Sequence, residues 1–264
     1  MMMEAASVFS MGTSGKASPQ VEARVSPEEW QTRVELAKCY RLIAHFGLTD
    51  GIYNHISCRV PGKEEHVLLN PFGLLYEEIT ASNLVKVDLE GNIVDDPTGL
   101  GINKAGFIIH GAIHEARPDV ACVVHTHTRA GLAVAAQAEG LLPISQPAAL
   151  FIDRIGYHDY EGIVLRMDER ERLLANLGQF NFLILRNHGL LTAGPNIARA
   201  FQWMHVLQQA CEVQIQALAG ARPLTYLPPE SIKEMQTAFD SSDGMLDWQA
   251  LTRVLDKMSP EYAS

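Results

Sequence analysis

From Leu36 through Cys39, Tyr40 and Ile43, apolar residues recur at helical spacing behind the segment Ser26-Pro27-Glu28-Glu29. A hydroxyl cap, proline at the first helical position and glutamate at the third predict a helix from Ser26 that closes at Gly47. Ile56 to Val60, the turn at Pro61-Gly62 and His66 to Leu69 predict an antiparallel pair, and Leu84 to Leu89, closed by Glu90-Gly91-Asn92, predicts another strand. The pattern then predicts a helix from Asn103 to Ala116, stopped before Pro118, a strand over 120–127 and a helix over 128–138. After a long connection from Pro143 to Ile163 come a helix over 168–177, a strand over 181–186 and a helix over 195–219. Two further helices, 229–239 and 245–257, close the chain. Leu246, Leu251, Val254 and Leu255 form an apolar stripe on the last, expected to pack on this protein or a sister subunit. Hairpins interspersed with helices imply an α/β fold with an antiparallel-rich central sheet flanked by helices.

Residues 1–25 show no periodicity and are expected to be a flexible leader, followed by a main domain over 26–225 and a helical extension over 226–264. With 264 residues and 47% hydrophobic residues, a single sizeable core is affordable. Acidic residues outnumber basic ones by 31 to 21, a net charge of −10, which argues against a nucleic-acid or anionic-membrane partner. No apolar run is long enough for a membrane span, and no secretory signal pattern opens the chain, so a cytoplasmic location is expected. Cys39, Cys58, Cys122 and Cys211 are widely spaced in apolar surroundings and are expected to be reduced core residues.

The chemistry concentrates where two apolar strands end. Val123-Val124 leads into His125-Thr126-His127, and Phe182-Leu183-Ile184-Leu185 into Arg186-Asn187-His188-Gly189. Side chains at i and i+2 of a strand share a face about 7 Å apart, within reach of one ion. His188 supplies a third imidazole. Three neutral nitrogens with an open position suit Zn²⁺, and also admit Mn²⁺, Fe²⁺ or Co²⁺. One divalent metal centre at His125, His127 and His188 is therefore expected. An isolated His-x-His pair is more often a core feature, but polar residues starting abruptly at two strand ends favour a site. Gly99-Leu100-Gly101 lacks the context of a dinucleotide loop, and Asp50-Gly51 and Phe72-Gly73 read as backbone turns.

Further motifs carry a family resemblance. Asn54-His55-Ile56-Ser57, Asn70-Pro71-Phe72-Gly73, His110 with Ala116-Arg117-Pro118-Asp119, His125-Thr126-His127 and Asn187-His188-Gly189 resemble, in that order and over about residues 27–225, the class II aldolase/adducin family. Tyr53-Asn54-His55, Asn103-Lys104-Ala105-Gly106-Phe107 and the segments 140–146 and 158–162 are similar to adducin heads and their bacterial relatives. The resemblance implies a three-layer α/β/α domain, a zinc-type centre at the three histidines, and a homotetramer with pockets between subunits. It places Asn54, Gly73, Gly106, Ser145 and Gln146 around a small-molecule substrate, with His55 and His110 as the candidate proton carriers.

The resemblance also implies departures. In the family's aldolases a glutamate four residues before the His110 position is the acid/base, and here that position is Gly106. Their phosphate pocket is altered at His55, Phe72 and Lys104-Ala105, and their pocket tyrosine has no counterpart around Ser145-Gln146-Pro147. Two functions follow as expectations. One is a metal-dependent lyase, of aldolase or decarboxylase type, for a small non-phosphorylated oxo or hydroxy acid. The other is a non-catalytic adducin-like module associating with actin filaments or the cytoskeleton. The long basic tail of adducins is not among these residues, which tilts the expectation to the enzyme. His114, one turn beyond His110, reads as a partly exposed helix residue.

Overall fold

The computed structural model describes residues 21–162 and 167–264, and among these eight strands form one sheet. The first half of the chain supplies helix α1 (Pro27–His45), strands β1 (His55–Arg59), β2 (Val67–Leu69), β3 (Val85–Val87) and β4 (Ile93–Asp95), and helix α2 (Lys104–Ala116). The second half supplies β5 (Cys122–Thr126), α3 (Arg129–Ala135), α4 (Gln146–Ala149), β6 (Ile155–His158), α5 (Met167–Leu177), β7 (Phe182–Leu185) and β8 (Gly189–Gly194). Helices α6 (Ile197–Ala219), α7 (Pro229–Asp240) and α8 (Met245–Met258) follow. The sheet order is β4-β3-β2-β1-β5-β8-β7-β6. Every pairing is antiparallel except β6 with β7.

Helix α1 starts as its sequence dictates. Ser26 Oγ accepts from Glu29 N at 3.1 Å behind Pro27. The Glu29 carboxylate does not close the cap reciprocally; it takes Arg33 Nε and Lys86 Nζ, both at 3.0 Å, and so ties α1 to β3.

Central strands need cover on both faces, and they receive it. On one face Val123, Leu183, Leu185 and Leu191 pack against Ile109 and Ile113 of α2 and Leu173 and Leu177 of α5. On the other, Val124, Ile184 and Leu190 share a core with Tyr40 and Ile43 of α1 and Phe201 and Met204 of α6. The result is the expected three layers.

Four elements were not expected. Strand β4 is short, and Ile93 and Val94 are exposed on it. Strand β8 is buried throughout, yet its terminal glycines imitate loop composition. Helix α4 and strand β6, four residues each, lie inside the expected connection 143–163 and are too short to show a period. The leader falls largely outside the described residues. From Val21 the chain is packed, since Val21 is fully buried and Arg24 pairs with Asp95 at 2.8 Å.

Candidate metal centre

Strand β8 runs antiparallel to both β5 and β7, so these two strands point the same way and end at one edge. There Arg186, Asn187 and His188 make a three-residue hairpin loop, closed by His188 N to Leu185 O at 3.0 Å. Asn187 adopts φ +57°, a left-handed conformation that asparagine tolerates. Gly189 lies so close to β5 that a Cβ there would stand 3.2 Å from His125 Cε1 and 3.1 Å from His127 Cδ2. The glycine is thus what lets the loop bring His188 to the other two. Strand β5 ends at Thr126, one residue short of His127, but the pair still converges.

Ring centroids of His125, His127 and His188 lie 4.6 to 5.0 Å apart, and one ligand atom from each falls within 4.8 Å of the others. Hydrogen bonds set two tautomers. The Nδ1–H of His125 donates to Leu190 O at 2.9 Å, and that of His127 donates to Asp50 Oδ2 at 3.1 Å. Both acceptors can only accept, so in its neutral form each ring presents a bare Nε2. These two Nε2 atoms face each other at 2.8 Å. With His188 beside them they form a set of nitrogen donors that could hold a divalent metal ion. Asp50 opens the turn read from sequence, with Tyr53 N donating to its carbonyl at 3.1 Å, and its carboxylate also orients His127.

Burial, and then the neighbouring imidazoles, hold His125 well below the usual histidine range. Burial first, then His127 and His158, lowers His188 to about 4. Burial thus favours the neutral form of His125 and His188, the form that ligates metal.

His55 pairs with His125 across β1 and β5, and their ring centroids are 5.1 Å apart. Its imidazole crowds the space in which a side chain at 106 would begin: a Cβ on Gly106 would stand 2.1 Å from His55 Nε2 and 2.4 Å from Cδ2. Behind it runs a chain of contacts, from His55 Nδ1 to His110 Nε2 at 2.8 Å, from His110 Nδ1 to Ser57 Oγ at 2.6 Å, and from Ser57 Oγ to His114 Nε2 at 2.8 Å. His114 is fully buried, contrary to its expected partial exposure, because the α2 face that carries it packs on β1. Burial pushes His110 and His114 down to about 3, with His114 and Arg59 respectively as second causes. Ser57 carried no signal of its own in the sequence.

A cavity of about 340 Å³ opens beside the centre, bounded by His55, His127, His188 and Gly106, with Tyr53 and Tyr160 at its wall. Both tyrosines are more than half exposed. Of the five residues expected around substrate, only Gly106 lines this cavity within one chain. Asn54 is buried, with both amide atoms lacking a hydrogen-bond partner among the described residues. Gly73 sits in a turn at φ +102°. Ser145 caps α4, and Gln146 reaches Met235 of α7. The motif around Arg117 is architectural: its guanidinium forks onto Asp119 at 2.7 and 2.8 Å and binds Gly178 O, Phe180 O and Asn181 Oδ1. Asn70 likewise serves packing, accepting from Tyr40 Oη at 2.9 Å. All four cysteines are free and buried, as expected.

The family model of the class II aldolase and adducin N-terminal domain matches residues 34–215. The crystal structure of an aldolase II superfamily protein from Pseudomonas syringae is 53% identical, covering 92% of this chain and 99% of that one with a TM-score of 0.89. The L-fuculose 1-phosphate aldolase of Glaciozyma antarctica is 28% identical, covering 94% and 96% with a TM-score of 0.80. Rat alpha-adducin is 46% identical over 243 residues, which are 86% of this chain and 33% of the adducin.

Proposed function

The chain belongs to the class II aldolase and adducin family, and from that premise we propose that it is a divalent-metal lyase acting on a small, non-phosphorylated oxo or hydroxy acid. The observation that carries the reading is the pair of bare Nε2 atoms of His125 and His127 at 2.8 Å, with His188 beside them. These three side chains would hold the ion, Zn²⁺ in the first instance. When bound, it supplies Lewis acidity to a substrate oxygen without any protein carboxylate.

The remaining work falls to the chain. Carbon–carbon cleavage of aldol type removes a proton from a hydroxyl and returns one to carbon, so the pocket needs a proton carrier. Position 106, where the family's aldolases carry glutamate, offers no side chain. The imidazole of His55 occupies that volume, and we assign it the carrier's role at Nε2. Its Nδ1 is engaged by His110, which holds the ring in place. Neither lysine nor arginine is among the described residues lining the cavity, and Lys104 faces a different one beside Leu89 and Phe107. A sugar phosphate therefore has no cationic side chain here to receive it, and a small acid held at the metal is the better fit.

Likeness to alpha-adducin favours a second reading, an assembly module associating with actin filaments or the cytoskeleton. The deciding experiment combines metal analysis with a screen of oxo and hydroxy acids. The enzyme reading expects about one zinc per chain, lost in His125→Ala and His188→Ala, and turnover that His55→Gln abolishes while zinc is kept. Full zinc with no turnover on any such acid would move the conclusion to the module. Full zinc in both alanine variants would overturn the metal assignment itself.

A further inference from the structure

We propose that Cys58 and Cys122 form a thiol–disulfide site, closing a reversible cross-strand bond between β1 and β5 in exchange with a low-molecular-weight disulfide. Each cysteine is three residues from a histidine of its own strand, so both thiols lie on the face of the sheet opposite His55 and His125. The site stands apart from the metal centre.

Cys58 stands directly across from Cys122 in the antiparallel pairing of β1 with β5. Arg59 N donates to Ala121 O at 2.8 Å, one position beyond the pair, so the two cysteines occupy a place in the ladder where facing residues share no hydrogen bond. In such places the Cα atoms come to about 4.5 Å and the side chains converge. A disulfide spans Cα atoms about 4.4 to 6.8 Å apart, so the bond can close with little movement of either strand. Cys39 of α1 and Cys211 of α6 share the same core, but neither lies on a strand that holds it opposite a partner. The register thus singles out one pair among the four thiols.

The two sulfurs differ in access. Cys58 lines a cavity of about 580 Å³ walled by α1 and α8, with Arg59, Pro61 and Trp248 around it, whereas Cys122 is fully buried. Cys58 is therefore the sulfur that meets the reagent. Its thiol loses a proton and the sulfur attacks one sulfur of the small disulfide, breaking that S–S bond; a mixed disulfide forms and one small thiol departs with the proton. The Cys122 thiol then loses its proton and attacks the Cys58 sulfur, and the second small thiol leaves. Two cysteine thiols are oxidised, and one small disulfide is reduced to two thiols. Burial, and then the neighbouring Cys58, pushes the Cys122 thiol well above its usual range, so the closing step is slow at neutral pH and quickens as pH rises.

The test follows the bond directly. The full chain is incubated with oxidised glutathione at about pH 8.5, and thiol content, intact mass and a proteolytic peptide map are read over time. The expected result is loss of two of the four thiols, a mass about 2 Da lower and a peptide linking residues 58 and 122, all reversed by dithiothreitol. Neither Cys58→Ser nor Cys122→Ser should show that loss of mass. Four intact thiols in the folded protein overturn the proposal, as do a link to Cys39 and a glutathione adduct that never closes. A bond that forms only in urea that unfolds the chain overturns it too. Should a serine variant fail to fold, the wild-type peptide map still decides.

Discussion

A methyl group at position 106 would stand 2.1 Å from His55 Nε2, so the two positions have to be varied together. Gly106→Ala forces a buried ring to move and should cost about 1–3 kcal/mol in urea unfolding. His55→Ala in the same chain should recover most of that, giving a coupling above about 1 kcal/mol. Simple additivity would show that they do not share the space. For the same reason a carboxylate introduced as Gly106→Glu has room only when His55 is shortened. Asp50 allows a cleaner measurement. Its carboxylate is half exposed and touches the centre through His127 Nδ1. Asp50→Ala should weaken zinc binding about 10–100-fold while barely changing stability. Competition against a chelator reads this, and a Kd within about threefold of wild type would remove Asp50 from the centre.

Helix α2 carries Gly106, His110 and His114 along its length, so its placement sets the pocket. Asn103 starts it by accepting from Gly106 N at 3.2 Å, and Arg117 fastens its far end to the loop between α5 and β7. Lysine cannot reproduce that fork. Arg117→Lys should cost about 1–3 kcal/mol and speed hydrogen exchange in residues 178–181. Unchanged exchange there would show that the clamp is idle. The buried imidazoles of α2 also predict how stability follows pH. His110 and His114 sit at about 3 in the folded chain against 6.5 for a free histidine. The unfolded chain binds more protons between those values, so their contribution is complete above about pH 6.5 and is lost as pH falls toward about 3. Each neutral group accounts for up to about 1.4 kcal/mol per pH unit. Urea midpoints of zinc-free protein at pH 7.5, 6.0 and 5.0 should therefore fall, and His114→Gln should flatten the fall. An identical slope in that variant would contradict the burial argument.

Exposed apolar residues distinguish two regions of the whole molecule. Leu246 on α8 is 83% exposed, whereas Trp248 and Leu255 of the same helix are buried, with the Trp248 indole N–H donating to Glu35 at 2.7 Å. The expected stripe is thus divided: Leu255 packs inward and Leu246 faces out. At the sheet edge Ile93 and Val94 of β4 are also exposed. Ser145 and Gln146 lie away from the cavity of their own chain. A homotetramer is accordingly expected at micromolar concentration by analytical ultracentrifugation, and Leu246→Asp should shift it toward smaller species. A monomer throughout that range would defeat the assembly. No helix among the described residues is long and apolar enough to cross a membrane.

Local chemistry was legible in the sequence wherever a residue's role depends on its neighbours in the chain. The cap at Ser26, the start of α2 at Asn103, the buried run before His125 and the pairing of His125 with His127 follow from spacing, because periodicity and capping act over a few residues. The chain from His55 to His114 was not legible. It needs the register of β1 on β5 and the packing of α2 on one particular face, and both arise from contacts more than fifty residues apart in sequence. Asp50 was missed for the same reason, standing 77 residues before the histidine it orients. Strand β8 shows the complementary limit. Its glycines imitate a loop, and only close packing against Ala200 and β5 makes a strand with no side chains at its ends the one that fits. Spacing determined that His125 and His127 share one face at a strand end, and tertiary packing decided that His188 joins them and which ring fills the place beside Gly106.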